Sequence, residues 1–378
     1  TQSRSSAASD VYKRQTLSVF LFFSCFIAFS QTKPSYFQAD YFYGNILNTN
    51  PDATVFLQGH PTGVFASYNI KTTGLKSWEG LYNYPDVGIS FGYQDYKSDI
   101  LGALYSIYGH YNFYLLNRTS QNQFIIRAGI GLAYSTNPYH KETNNKNTAF
   151  GTTINSSTYL KLYYQRDYLI DHIGVTGGLT FVHASNSNIK SPNSGVNIWA
   201  LTVGLNYNLT PKEPSITFIP SSETEKVTEP VKLNLAVRGG VNESSIIGSG
   251  IKPFFVASAY IDKRISRKSA FQLGSDLYIS PILKDYYEIN LSIPNSDLGN
   301  PTSFSRIGIF IGYELFINKL SVETQLGYYA KYPFEYDGRV YETLGLKRYI
   351  NDKWFASIRL KAHAANAETV ELGMGIRL

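Results

Sequence analysis

The chain of 378 residues holds one cysteine and one methionine, and only 16% of its residues are charged. A lone cysteine, Cys25, excludes an internal disulfide and a cysteine-held metal. A soluble domain has about a quarter of its residues charged, so the low charge speaks against an ordinary water-soluble globule. Long apolar runs are missing too. From Gln31 onward no segment has eighteen consecutive apolar residues, which excludes a membrane-spanning helix there. The net charge of +6 is spread without any Lys/Arg cluster, which argues against a nucleic-acid partner. Amphipathic helical spacing is scarce.

What is abundant is aromatic: 31 Tyr and 23 Phe. Low charge, many aromatics and no apolar run match a transmembrane β-barrel, whose interfaces carry aromatic girdles. Residues 1–15, TQSRSSAASDVYKRQ, read as a non-native leader. Residues 16–30 read as a signal peptide with an apolar core from Leu17 to Phe29 and cleavage before Gln31, which implies export. Cys25 as a lipidation site is set aside, because the apolar run continues past it.

Beyond the signal peptide the recurring pattern is two-residue alternation, the mark of strands with one apolar face. Phe65, Ser67 and Asn69 alternate with Val64, Ala66 and Tyr68, for example. Strands are expected at 36–47, 63–72, 87–97, 101–117, 124–136, 156–170, 173–186 and 196–209. Eight is the smallest common closed barrel. Residues 210–230 are rich in Pro, Glu, Lys, Ser and Thr and read as a periplasmic linker. Eight further strands follow, at 231–243, 252–267, 269–283, 302–318, 320–333, 339–351, 354–365 and 367–378. The segments TYLKLYYQRDYLIDHIGVTGGLTFVHASN and YETLGLKRYINDKWFASIRLKAHAAN echo each other, which indicates an internal repeat. The expected fold is all-β: an outer-membrane antiparallel up-and-down barrel at 31–209 and a second eight-stranded barrel at 231–378. One sixteen-stranded barrel is the alternative, which periodicity alone does not separate.

Within IGVTGGLTFVHASNSNIKSPNSGVNIWALTVGLNYNL, residues 173–209, two alternating runs flank a polar loop. The apolar face of the first (Ile173, Val175, Leu179, Phe181) continues into His183 and Ser185. The apolar face of the second (Trp199 to Leu209) begins at Asn197. Residues i and i+2 of a strand lie about 6.5–7 Å apart on one side, within reach of an imidazole and a hydroxyl at a bent strand end. A serine needs a base, and the base needs a third group to fix its tautomer. Asn186 and Asn193 are candidate amide donors to an oxyanion. His and Ser near a strand end are common, but polar groups on a lipid face are costly without a purpose.

The string HASNSNIKSPNSGVN resembles the signature of outer-membrane lipid A 3-O-deacylases, the acyloxyacyl-hydrolase barrels: His-x-Ser-Asn, Pro-Asn-x-Gly, then an acidic residue. NPD, GHP, NYPD and GHYNFY, between Asn50 and Tyr114, resemble the Bacteroidetes versions of that family. The resemblance covers residues 35–209. It implies an eight-stranded outer-membrane barrel with an outward-facing site that needs no metal or other cofactor. The site would have His183 as base, Ser185 as nucleophile, Asn186 in support and Asn193 as oxyanion donor, and membrane lipid (lipid A or a related glycolipid) as substrate. The departure is Asn197, where the family has its acid. An Asn in that place costs a serine triad about 10⁴ in rate. Glu142, in the long loop after the fifth strand, is a topological substitute. The rival is a non-catalytic structural or small-pore barrel.

In the second half His363, Ala365 and Asn366 occupy the equivalent slot, but with Trp354, Ala356, Ile358 and Leu360 on the apolar face. His363 then points into the lumen, near Glu371, and that half is expected to be silent. Of the other histidines, His60 reads as a turn residue, His110 as lumen or interface, and His140 and His172 as connections. No pair has metal-ligand spacing with a carboxylate, so no metal site is expected. Lys141, Lys146 and Lys190 are loop cations that either meet lipid phosphates or are simply solvated.

Overall fold

The computed structural model describes residues 33–47, 59–212, 216–220, 227, 229–293, 301, 303–364 and 366–378. The leader, the signal peptide with Cys25, the NPD at 50–52, part of the linker and Ala365 lie outside the described residues. The first eight strands are β1 (Ser35–Ile46), β2 (Thr62–Ile70), β3 (Asp86–Asp95), β4 (Ala103–Tyr114), β5 (Asn122–Ser135), β6 (Ile154–Ile170), β7 (Ile173–Ser185) and β8 (Val196–Asn208). The second eight are β9 (Lys232–Asn242), β10 (Lys252–Arg264), β11 (Ser269–Ile279), β12 (Ser305–Ile317), β13 (Leu320–Lys331), β14 (Val340–Tyr349), β15 (Trp354–His363) and β16 (Asn366–Arg377).

Each set closes on itself. Tyr36 pairs with Asn208 where β1 meets β8, and Leu372 pairs with Gly239 where β16 meets β9. Two closed eight-stranded antiparallel barrels result, and the sixteen-stranded alternative is excluded. Closure leaves no unpaired sheet edge, the condition for a β-structure to span lipid. Among the described residues no helix is long and apolar enough to cross a membrane.

The alternation read in the sequence becomes an outward apolar face and an inward polar one. On β8, Trp199, Leu201, Val203 and Leu205 are exposed while Thr202 and Asn206 are buried. The lumens are filled by side chains. In the first barrel Arg127 donates to Asn112 (2.6 Å), Gln38 (2.9 Å) and Ser67 (3.0 Å), and Lys161 pairs with Asp40 at 2.8 Å. In the second, Arg359 lies between Glu371 (2.7 Å) and Asp276 (3.2 Å), and Lys347 meets Glu314 at 2.9 Å. Burying such charges is tolerable because each is hydrogen-bonded or paired with an opposite charge: Arg127 meets neutral acceptors, while Lys161, Arg359 and Lys347 meet carboxylates.

Among the described residues, two short helices are not expected from the pattern: α1 (Ser77–Leu81), between β2 and β3, and α2 (Ile282–Leu291), between β11 and β12. Linker residues also pack. Ile219 N–H donates to Thr73 O at 2.8 Å, and Phe218 lies against Tyr84 with ring centroids 4.9 Å apart. Glu229 pairs with Arg377 (2.8 Å) and Arg264 (3.1 Å) of the second barrel.

The barrels stand side by side with like ends together. At one end, Tyr82 of the helix-bearing 71–85 connection donates to Phe316 O at 2.6 Å, beside the short 318–319 turn, and Lys268 sits over the Tyr82 ring at 4.7 Å. At the opposite end, Asn188 and Ser191 of the β7–β8 loop bond Glu243 and Ser244 of the β9–β10 loop. That end also carries the longer connections, 136–153 and 280–304. In outer-membrane barrels the long loops face outward and the short turns face the periplasm.

Candidate active site

Residues 173–185 and 196–208 form neighbouring strands, with His183 directly opposite Asn197 in the register. Val182, Ala184, Val196 and Ile198 point inward, into an apolar cluster with Phe42, Phe65 and Phe150. A strand alternates, so His183 and Asn197 point outward beside them, at the long-loop end. Phe150 reaches the mouth from the β5–β6 loop, which is turned by Asn147: its Oδ1 accepts the N–H of Ala149 (3.0 Å) and of Phe150 (3.1 Å). The apolar plug and this cap give the outward site a rigid backing.

On the outer face the side chains form a line. Ser185 Oγ lies 3.0 Å from His183 Nε2, and His183 Nδ1 lies 2.7 Å from Asn197 Oδ1. Asn197 offers a carbonyl oxygen, so Nδ1 carries the proton. Nε2 is then the lone-pair nitrogen and accepts the Ser185 hydroxyl, the tautomer a general base needs. His183 and Asn197 are half-buried, whereas Ser185 is only 4% exposed.

The loop after Ser185 is closed by its own amides. Asn186 N–H donates to Asn193 Oδ1 at 2.7 Å, and Asn186 Nδ2 donates to Lys190 O at 2.7 Å. Asn186 thus braces the loop through its backbone N–H and one hydrogen of its side-chain amide. Asn193 spends its carbonyl on that brace, and its Nδ2 is the amide group left to point elsewhere. Gly195 follows with φ of +66°, and a Cβ there would meet Ala184 O at 2.9 Å and Ser185 Cβ at 3.1 Å. The Pro-Asn-x-Gly spacing thus puts a residue without a side chain against Ser185. The loop is also stitched to the β5–β6 loop, Ser194 N–H to Thr148 O (3.0 Å) and Gly195 N–H to Ala149 O (3.1 Å).

The remaining candidates lie elsewhere. Glu142 is exposed, its N–H on His140 Nδ1 at 3.3 Å, and none of its described contacts is with His183. His60 bonds Asn45 Oδ1 at 2.6 Å. His110 is in the lumen, on Ser90 (2.8 Å) and Asn69 (2.8 Å), and His172 bonds Asn208 O at 2.6 Å. Lys141 and Lys190 are exposed.

In the second barrel His363 does face the lumen, but its partner is Glu368 at 2.8 Å; Glu371 is taken by Arg359. Asp337, His363 and Glu368 bring ligand atoms within 4.8 Å of one another, a grouping that sequence spacing does not indicate. Lys361 (2.8 Å) and Arg306 already occupy Glu368. A cation there would have to displace both, so the cluster reads as an ion-pair network. The inverted phase of β15 is the reason this slot lacks the outward geometry of β7.

Residues 62–206 match the family model described as lipid A 3-O-deacylase (PagL). Residues 231–378 match the model described as acyloxyacyl hydrolase, C-terminal domain. No curated protein matches. Among solved structures, a porin mutant from Rh. blastica is 8% identical, covering 91% of this chain and 99% of its own, with TM-score 0.17. Omp33 of Acinetobacter baumannii is 9% identical over 92% of this chain and 99% of its own, TM-score 0.18. The FrpB iron transporter of Neisseria meningitidis is 10% identical over 90% of this chain and 60% of its own, TM-score 0.22. These likenesses are too distant to carry an argument. The two family models together take in the paired strands of the outward site and the whole second barrel, and the chain belongs to the lipid A 3-O-deacylase family of outer-membrane β-barrels.

Proposed function

We propose that this protein is a serine esterase of the outer membrane that removes an ester-linked acyl chain from lipid A or a related membrane glycolipid. Ser185 is the nucleophile, His183 the general base and Asn197 the group that orients it. The observation that carries this is the line of Ser185 Oγ, His183 Nε2, His183 Nδ1 and Asn197 Oδ1, 3.0 and 2.7 Å at its two links, on the lipid-facing side of the barrel at its long-loop end. An ester between a sugar and an acyl chain lies at that depth in a lipid leaflet.

In the first half-reaction His183 takes the Ser185 proton while Oγ attacks the ester carbonyl. The tetrahedral oxyanion is met by amide donors, for which the Asn193 Nδ2 group is the candidate. Collapse expels the sugar oxygen, which receives the proton from His183. In the second, water attacks the acyl-serine by the same base, and the fatty acid leaves. Each step needs only proton transfer and a nucleophile, and neither calls on a cofactor.

A second reading, a barrel that keeps this shape without the chemistry, is favoured by one feature. Asn197 holds the tautomer but cannot neutralise the imidazolium that forms in each step. The small-pore variant of it finds no support, because Arg359, Glu371, Lys347 and Glu314 fill the second lumen and are each fully buried. Lipid mass spectrometry decides between the readings. Cells expressing the full chain should show lipid A short of one acyl chain, and cells with Ser185→Ala at equal expression should not. An identical lipid profile in the two would overturn the esterase reading.

A further inference from the structure

We propose that the second barrel is part of the hydrolytic apparatus: Glu243, in the loop after β9, is a positioning residue that sets the β7–β8 loop around Ser185. This rests on the esterase reading and adds a part to it. Glu243 is only 2% exposed. Its Oε2 accepts the N–H of Ser191 at 2.8 Å, and its Oε1 accepts those of Gly250 at 2.9 Å and Gly248 at 3.1 Å. Its backbone pairs with Asn188 in both directions: Glu243 N–H to Asn188 O at 3.2 Å, and Asn188 Nδ2 to Glu243 O at 3.1 Å. Ser191 Oγ adds a bond to Ser244 O at 2.6 Å. A buried carboxylate must be satisfied. Two of its three donors come from its own loop, which holds it ready for the third, from the other barrel.

The β7–β8 loop needs such a hold. Ser187 and Asn188 are both left-handed, with φ of +56° and +63°. Ser disfavours that conformation more than Asn does, and a disfavoured conformation persists where the surroundings over-determine it. Within the first barrel, Ser187 is held by Ser156 Oγ at 3.0 Å. Asn188 is held from the second barrel. Residues 188 and 191 also lie between Asn186 and Asn193, the pair whose bond closes the loop beside Ser185. Freeing them releases that bracket from inside, and with it the placement of Asn193 and the cover over Ser185.

A purely architectural contact between barrels would leave the reactivity of Ser185 alone, so reactivity is what to measure. The full-length chain in outer-membrane vesicles is compared with Glu243→Ala, Glu243→Gln and Asn188→Ala. The readouts are kcat and KM for fatty-acid release from lipid A, the rate of Ser185 labelling by an alkyl fluorophosphonate, and hydrogen exchange over residues 186–195. Glu243→Ala and Asn188→Ala should exchange faster in that loop. Both should lose at least about tenfold in kcat and in labelling rate, with KM changed less than about threefold. Glu243→Gln keeps one carbonyl oxygen and should recover part of the loss. Should Glu243→Ala fail to assemble, Asn188→Ala decides from the first barrel's side. Labelling and kcat within about twofold of the parent chain in the assembled variants overturns the proposal. A parent chain with neither turnover nor labelling, its loop still protected from exchange, overturns the esterase reading and takes the positioning role of Glu243 with it.

Discussion

Asn197 Oδ1 lies 2.7 Å from His183 Nδ1, where a serine hydrolase would place its acid. An amide and a carboxylate have nearly the same size here, so Asn197→Asp should keep the geometry and add a charge. In the proposed mechanism, the negative charge stabilises the imidazolium that forms when His183 takes the Ser185 proton. Going from acid to Asn costs a serine triad about 10⁴, so the reverse change should raise kcat by about tenfold or more. The pH profile gives an independent check. An opposite charge nearby favours protonated His, so His183 becomes harder to deprotonate and the acidic limb of kcat/KM moves to higher pH. A kcat equal to the parent's across the profile would count against His183 as the base.

Gly195 ties the loop to Ser185. Its φ of +66°, and the 3.1 Å at which an added Cβ would approach Ser185 Cβ, make alanine doubly unfavourable. The backbone penalty alone is about 1–2 kcal/mol. Gly195→Ala should therefore leave a folded barrel, seen as unchanged heat-modifiable migration in gels, while turnover falls well below the parent's. Loss of fold and of turnover together would show that the loop is needed for assembly rather than for placing Ser185.

The alternation of apolar residues makes the barrels legible strand by strand, because lipid on one side and a packed lumen on the other impose the same period everywhere. The hairpin of His183, Ser185 and Asn197 is legible for the same reason: polar residues continue a face that should be apolar. The helices are not. Helix α1 is too short to show a period, and the Ile282, Leu283, Tyr286, Tyr287 spacing of α2 is a brief helical signal lodged among strands. Nor does any local pattern mark Glu243, since its role comes from two barrels meeting at their rims. The phase of β15 puts His363 in the lumen, but which of two nearby acids it meets depends on the β15–β16 turn, where the register shifts between Lys361 and Ala362.

Lys347 tests the second lumen. Its Nζ lies 2.9 Å from Glu314 and 3.3 Å from Glu323, all three side chains fully buried. Lys347→Met fills the same space without the charge, strands the Glu314 carboxylate among neutral donors and leaves Glu323 only the longer 3.9 Å pair with Arg238. Breaking a buried pair in this way costs about 3–5 kcal/mol. Urea unfolding of the full chain in lipid vesicles should show that loss. Adding Glu314→Gln to Lys347→Met should recover part of it, because one stranded charge is then removed. A Lys347→Met chain as stable as the parent would mean that the carboxylates are not both ionised.

Leu201 is 66% exposed at the middle of β8, between Trp199 and Val203 on the same side. In water such a leucine would be a liability, and Leu201→Arg would be neutral or would improve solubility. In a bilayer the sign reverses, and arginine near the midplane of a barrel costs about 2–4 kcal/mol. Unfolding of Leu201→Arg in lipid vesicles should show a loss of that size, while Leu201→Phe stays near the parent. The neighbouring Thr202 points into the lumen, so Thr202→Ser, which changes the same depth of the strand on its other face, should be nearly silent. A neutral Leu201→Arg would place that side of β8 away from lipid, and the outward site of His183 and Ser185, on the same side of the same strand pair, would lose its route to a membrane ester.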